Sequence, residues 1–248
     1  MRQLANFFIM QCIIAYRSKT ALFWSFLYPL AMLVLMLSVF GDAKGAGVTG
    51  DDPRLMTVTG VFVITIMSGG IFALTTVLAA DFQSGVYKRL KVTDLNRFHV
   101  TIGLMLRQLI IIVLGIMLVT AGAAVLFSVY PNGNFFSVLL LIFIGSVLFS
   151  SVGIIIANLC SRPQTAIAIA NAIFLIMIFL SGSTFPKTFF PDWLAVISQT
   201  LPASYLFDLI ESQLFYGESL LENSQDFLVL SAMCLIAFGI SVKTFKWE

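Results

Sequence analysis

Six stretches of this chain are apolar over the length needed to cross a bilayer, and together they take up most of its 248 residues. The runs are 21–40, 56–80, 108–130, 135–157, 164–181 and 227–242. A hydrocarbon core about 30 Å thick takes about 20 helical residues to span. That core offers no water to backbone N–H and C=O groups, so each run must satisfy its own backbone, as a helix does. Charged residues make up 10% of the chain, against about 25% in soluble domains. These features predict an all-α polytopic membrane protein with six transmembrane helices. No hydrophilic stretch is long enough for a separate soluble domain, so residues 1–248 are expected to form a single transmembrane domain.

The connections have their own character. Arg2 to Lys19 mixes Leu4, Phe7, Phe8 and Ile14 with Asn6, Gln11 and a basic end, Arg17-Ser18-Lys19. That mixture suits an N-terminal amphipathic helix lying in the membrane interface. The same polar residues interrupt the early apolar run, so it does not read as a secretory leader. Pro29 inside the first run predicts a kink. Ser68-Gly69-Gly70 in the second run, and the pairs Ser146/Ser150 and Gly153/Ala157 in the fourth, predict close helix approach. Pro131-Asn132-Gly133-Asn134 and Ser161-Arg162-Pro163 read as turns. Between the fifth and sixth runs, Pro191-Asp192-Trp193 looks like a helix start, and Pro202 is expected to end that helix. A second short helix is expected from Ser204 to Phe215. Both are too short to cross, which predicts short re-entrant or interfacial helices between spans five and six. Aromatic residues such as Phe185, Phe189, Trp193 and Tyr205 suit the headgroup level there.

Charge orients the bundle. Of the 14 Lys and Arg, only Lys44, Arg54 and Lys187 fall on one side of the six runs. The others lie in the N-terminal segment, in the loop after the second run, at Arg162 and near the C-terminal end. A basic excess marks the cytoplasmic side, so both termini are expected in the cytoplasm. A net charge of +2 gives no argument for nucleic acid as a partner; membrane lipids are the expected surroundings.

Asp81 to Thr93 is a polar stretch with helical patterning of its own. Phe82, Val86, Tyr87 and Leu90 fall at i, i+4, i+5 and i+8 on one face, with Gln83, Ser84, Lys88, Arg89 and Lys91 mostly elsewhere. Asp81 suits the N-cap, and the basic residues suit the last turn. Thr93 and Asp94 are placed to end this helix and cap the next. Two roles fit. The helix rests on an anionic leaflet, or it puts an apolar face carried by Tyr87 and Leu90 into a groove on a soluble partner.

Missing chemistry narrows the function. As the runs are drawn, none contains an ionisable residue, Arg107 being placed in the basic loop before the third. A charge at the bilayer centre costs about 2.5–3.5 kcal/mol and is kept for use, so no proton relay is expected. Gly45 to Gly50 has the glycine spacing of a phosphate loop, but Asp51-Asp52 follow where Lys-Ser/Thr is required. His99 is the one histidine, and Cys12, Cys160 and Cys234 match no metal spacing. Asp208 and Glu211 lack a third ligand and read as a solvated acidic rim continued by Glu218, Glu222 and Asp226. No catalytic residue, metal or cofactor is expected on this chain. Asn171, midway along the fifth run, reads either as a helix–helix hydrogen-bonding group or as a substrate contact.

Three stretches resemble the membrane subunit of ABC transporters of the type-2 exporter class. Asp81 to Thr93 is similar to the family's loop after the second span, acidic-x-x-x-Gly-x-x-[basic/acidic]-x-Leu-x-Val-Thr. Leu180-Ser181-Gly182-Ser183-Thr184-Phe185-Pro186, followed by Phe190-Pro191-Asp192-Trp193-Leu194, resembles its Ser-Gly…Pro…Pro-x-Trp-Leu signature. Leu201-Pro202-Ala203-Ser204-Tyr205 resembles its Leu-Pro-x-x-Tyr. Asp94 departs from the pattern where Pro often follows Val-Thr, and Glu211 departs where relatives carry a basic residue.

The resemblance implies a permease subunit that pairs with a second permease subunit, as a homodimer rather than a heterodimer. Separate ABC ATPase subunits would dock on the cytoplasmic side, and ATP and Mg would bind them rather than this chain. Asp81, Phe82, Gln83, Gly85, Val86, Tyr87, Lys88, Arg89 and Leu90 would form the coupling helix that contacts the ATPase. Thr65, Ser68, Asn171, Phe174 and Met177 would line the pathway, and Phe185, Pro191, Trp193, Pro202 and Tyr205 would belong to an outer gate. The function implied is export of a hydrophobic or amphipathic substrate (drug, antibiotic, peptide or lipid) across a bacterial cytoplasmic membrane. A lipid-linked polysaccharide exporter is the alternative within the class; an ATP-independent carrier or membrane scaffold is the alternative outside it.

Overall fold

The computed structural model describes residues 2–40, 53–91, 95–130, 133–185, 187–215, 220 and 222–246. Gly45 to Asp52, Thr93, Asp94, Pro186 and Glu218 lie outside them. Among the described residues there is no strand, and six helices are long and apolar enough to cross a membrane. Helix α1 (Arg2–Arg17) precedes the first span, α2 (Lys19–Phe40), which runs on through Pro29. The second span is a single rod built from α3 (Pro53–Met67), a π-helical turn (Ser68–Ala73) and α4 (Leu74–Gln83). A five-residue helix, α5 (Val86–Leu90), leads to the third span, α6 (Arg97–Phe127). Spans four, five and six are α7 (Phe135–Leu159), α8 (Pro163–Leu180) and α11 (Ser224–Thr244). Between the last two lie α9 (Asp192–Ser198) and α10 (Pro202–Phe215), bent 84° to each other.

The side chains decide which spans lie inside. Spans two and four are each 67% buried, whereas the other four are between 17% and 28% buried. The outer spans turn Phe23, Met117, Val125 and Leu235 outward, which suits lipid rather than water. Spans two and four meet at glycines. A Cβ at Gly153 would strike the Gly70 carbonyl, and one at Gly70 would lie 2.7 Å from Phe149 Cβ. Thr75 Oγ1 donates to the Gly153 carbonyl at 3.0 Å across the same contact. Ser146, Ser150, Gly153 and Ala157 are all buried, so the small-residue ridge faces the core, as its spacing predicts. The π turn falls on Ser68-Gly69-Gly70, where the missing Cβ atoms let the rod change hydrogen-bond register against α7.

Several boundaries differ from expectation. Helix α6 begins eleven residues before the expected third span, so most of the supposed basic loop is helix. Its cap is Asn96, whose Oδ1 accepts from Phe98 N at 3.5 Å, rather than Thr93 or Asp94. The early turns of α6 are held by α1: a Cβ at Gly103 would lie 2.5 Å from the Phe7 ring. Pro202 opens α10 instead of closing α9, which ends at Ser198. Proline suits a first helical turn because the N–H it lacks has no partner there. Pro191 is the N-cap of α9.

Candidate functional site

The segment expected to couple to an ATPase, Asp81 to Leu90, is two helical pieces, not one. The apolar stretch of α4 carries its helix past Asp81 to Gln83, and Ser84 Oγ donates back to the Asp81 carbonyl at 3.0 Å. Gly85 then takes φ 72°, a left-handed conformation that glycine adopts without strain, and α5 follows. Asp81 therefore sits in the last turn of α4 and is not the N-cap of a separate helix.

The apolar face of this segment turns inward. Tyr87 is 1% exposed, with ring centroids 5.0 Å from Phe82 and 5.4 Å from Phe245. It joins a cluster with Phe7, Leu78 and Leu104 that binds α1, α4, α5 and α6 together. Burial pushes its phenol well above the ordinary range, and the nearby Asp81 charge adds to the rise. Val86 and Leu90 are half-buried. The expectation that Tyr87 meets a partner directly is corrected: the chain's own core already covers that ring. Gln83, Ser84, Lys88, Arg89 and Lys91 face outward, so the outer surface of this segment is polar and basic.

Arg107 lies beneath it. Expected in a loop, it sits inside α6 at 4% exposure, and its Nη1 donates to Gln11 Oε1 of α1 at 3.3 Å. Asp81, Tyr87 and Cys12 are its electrostatic neighbours. A guanidinium stays protonated in proteins, so Arg107 holds a charge in place and offers no relay for protons. Its contacts join α1, the coupling segment and the third span at one point.

Toward the middle of the bundle, a cleft of about 570 Å³ opens between spans one, two, three and five. Four of the five expected lining residues, Thr65, Ser68, Asn171 and Phe174, are on its wall. Met177 is not; it packs against the main core. The π turn supplies much of the second-span wall through Ser68, Gly69 and Phe72. No Asp, Glu, Lys, Arg or His is among the described residues that line the cleft. Thr65 Oγ1 donates to the Val61 carbonyl, Ser68 Oγ to Thr65 and Thr76 Oγ1 to Phe72. These hydroxyls spend their protons on their own helix; the amides of Gln108 and Asn171, the phenol of Tyr28 and the indole of Trp24 are further polar groups among the lining residues. Gln108 is 1% exposed and its Nε2 has no hydrogen-bond partner.

At the opposite end, the gate candidates do not form one cluster. Phe185 stacks on Phe179 with centroids 6.0 Å apart, Trp193 stands 65% exposed, and Tyr205 packs half-buried against the core. Pro191 and Pro202 set the starts of α9 and α10. Serines tie this bent pair to the end of span five: Ser198 Oγ donates to the Leu180 carbonyl at 2.5 Å and lies 3.2 Å from Ser204 Oγ. Asp208, read as part of an acidic rim, keeps its side chain 45% exposed and is also ion-paired, both its oxygens accepting from Lys187 Nζ at 2.6 Å. Among the described residues no group of three His, Cys, Asp or Glu is placed to hold a metal ion.

Sequence reasoning missed Arg107, Gln108, Trp24 and Tyr28 as site residues. Adjacent polar residues in an otherwise apolar helix were the available signal for Arg107-Gln108. Nothing in span one singled out Trp24 or Tyr28, which reach the cleft only through tertiary packing. The family described as ABC-2 type transporter matches residues 2–215, which takes in α1, the coupling segment, the cleft and the bent pair. No curated protein matches the chain.

Proposed function

Because this chain belongs to the ABC-2 type transporter family and is thus a permease subunit of an ABC transporter, we propose that it exports an uncharged hydrophobic or amphipathic compound. The cleft is the observation that carries this reading. It has the volume of a site for a drug-sized ligand, about 300–1,000 Å³, and its described lining residues are aromatic, aliphatic, hydroxyl-bearing and amide, with no ionic side chain among them. A charged substrate would lose its hydration there without an opposite charge to meet.

In this reading both termini and the basic coupling segment face the cytoplasm of a bacterial cell. Two copies of the chain pair, and separate ATPase subunits dock against Gln83, Lys88 and Arg89. ATP and Mg bind on those subunits. Movement of α5 reaches the spans through Tyr87 and Arg107, because the first is packed among α1, α4 and α6 and the second is bonded to α1. The π turn then shifts the cleft wall, since it lies in the same rod as the coupling segment's α4.

The test is reconstitution of the chain with its co-purified ATPase. ATP-dependent transport of a neutral fluorescent amphipath, with little transport of its quaternary-ammonium and carboxylate analogues, is expected. Equal transport of the charged analogues would overturn the assignment of substrate class.

A further inference from the structure

The cleft carries aromatic rings on two of its walls. Trp24 and Tyr28 stand one turn apart on the same face of α2, and both line it. Phe72 of the π turn lines it from the second span. Trp24 is 60% exposed and Phe72 is exposed as well, so the packing of this chain does not use up their rings. Trp24 meets the Phe23 ring in an edge contact, with centroids 5.8 Å apart. Anchoring at the headgroup level explains an aromatic residue near the end of a span. Tyr28 lies near the middle of α2, however, and Phe72 lies well inside the second-span rod.

The polar groups on the wall differ in what they still have to offer. Thr65, Ser68 and Thr76 have given their protons to carbonyls of their own helix. The Gln108 amide is fully buried, with Nε2 3.0 Å from the position a Cβ would take on Gly69, so it stands behind the π turn. The Tyr28 hydroxyl, the Trp24 indole N–H and the exposed Asn171 amide make no hydrogen bond among the described residues. These are the donors left on the wall. In hydrocarbon surroundings an unmet donor is costly, so a ligand that brings an acceptor gains over one that lacks it.

We propose that the exported compound is a flat aromatic molecule bearing acceptor oxygens. This rests on the cleft being the substrate site and narrows the class of compound it takes. The ring lies against Trp24 and Phe72, in the offset or edge-on arrangements that aromatic pairs prefer. An oxygen accepts from the Tyr28 hydroxyl or the Asn171 amide. The rings supply contact area, and the donors set which flat molecules are kept. Trp24 and Tyr28 thereby become specificity-determining residues of the first span.

The experiment uses the purified full chain in lipid nanodiscs and reads tryptophan fluorescence. Trp193→Phe with Trp247→Phe leaves Trp24 as the only tryptophan. A chain that keeps Trp193 alone is the control for probe dissolved in the bilayer. The probe is 9-fluorenone, a flat neutral ketone. Its competitors, at equal membrane concentration, are fluorene, which lacks the oxygen, and 2-decalone, which lacks the aromatic ring. Saturable quenching of Trp24 but not of Trp193 is expected, with both competitors displacing the probe poorly. One net hydrogen bond corresponds to about a two- to tenfold change in affinity. Tyr28→Phe should weaken 9-fluorenone by that factor and leave fluorene unchanged; Asn171→Leu tests the second donor if Tyr28→Phe does not fold. Quenching that is unsaturable or equal at Trp193, fluorene competing as well as the ketone, or an affinity unchanged in both variants overturns the proposal. 9-Fluorenone-2-carboxylate is expected not to compete. If it competes while the other preferences hold, the aromatic site stands and the uncharged substrate class falls.

Discussion

Replacing Gly70 with alanine would force apart the two helices at the centre of this bundle. The added Cβ would lie 2.7 Å from Phe149 Cβ and 2.8 Å from both Phe149 C and Ser150 N. Carbon atoms in good contact sit about 3.5–4.0 Å apart, so α7 must retreat by about 1 Å. Two of the three neighbours are backbone atoms and cannot rotate aside. Overpacking of this kind costs about 1–3 kcal/mol. Retreat of α7 also endangers the hydrogen bond from Thr75 to the Gly153 carbonyl, worth about 0.5–1.5 kcal/mol. Together the loss is about 2–4 kcal/mol, or roughly 5–15 °C in melting temperature for a chain of this size. Ser68, Gly69 and Phe72 of the same π turn line the cleft, so substrate-stimulated ATP hydrolysis in the assembled transporter should fall as well. Gly239→Ala is the control, because nothing lies within 4 Å of a Cβ there. Alanine inside that helix should be neutral or stabilising by up to about 1 kcal/mol. Thermal melts of both variants in detergent decide the matter. A Gly70→Ala protein that melts with the wild type refutes the close glycine crossing.

Tyr87→Ala empties a fully buried site and should cost about 3–5 kcal/mol, seen as a lower melting temperature before any partner is added; a melt like the wild type would contradict its burial. Lys88→Gln with Arg89→Gln should leave the melt unchanged and weaken ATPase pull-down, whereas undiminished pull-down would remove these cations from the docking surface. Gln11→Leu deprives buried Arg107 of an acceptor and should cost about 1–3 kcal/mol. Adding Arg107→Met should recover most of that loss, and a double variant no better than Gln11→Leu would count against the pairing. In a background lacking Cys12, Cys160 and Cys234, a cysteine at Ser161 should be shielded from an impermeant thiol reagent in intact cells and one at Thr188 should react. The reverse pattern would invert the orientation.

The six spans were legible because lipid demands about 20 apolar residues in a row and little else. Their ends were less legible. Arg97 and Arg107 suggested a loop, yet α6 continues through both because α1 packs alongside it at Gly103 and offers Gln11 to Arg107. The pattern Phe82, Val86, Tyr87, Leu90 identified an apolar face but not what covers it. Phe245, more than 150 residues away in sequence, is part of that cover. Ser68-Gly69-Gly70 announced close approach, while the π register depends on α7 pressing against Gly70. In the cleft, Thr65, Ser68, Asn171 and Phe174 could be placed by span. Trp24, Tyr28 and Gln108 arrive from spans whose neighbours are set by packing alone.

The most direct measurement is transport into vesicles that hold this chain with and without its ATPase partner. With the ATPase inside-out and MgATP outside, a neutral fluorescent amphipath should accumulate, and removing either ATP or the ATPase should stop it. Imposed proton or sodium gradients should drive no accumulation by the chain alone; Arg107, buried near α5, holds a fixed charge and cannot carry protons. Gradient-driven accumulation without the ATPase would contradict an ATP-driven permease.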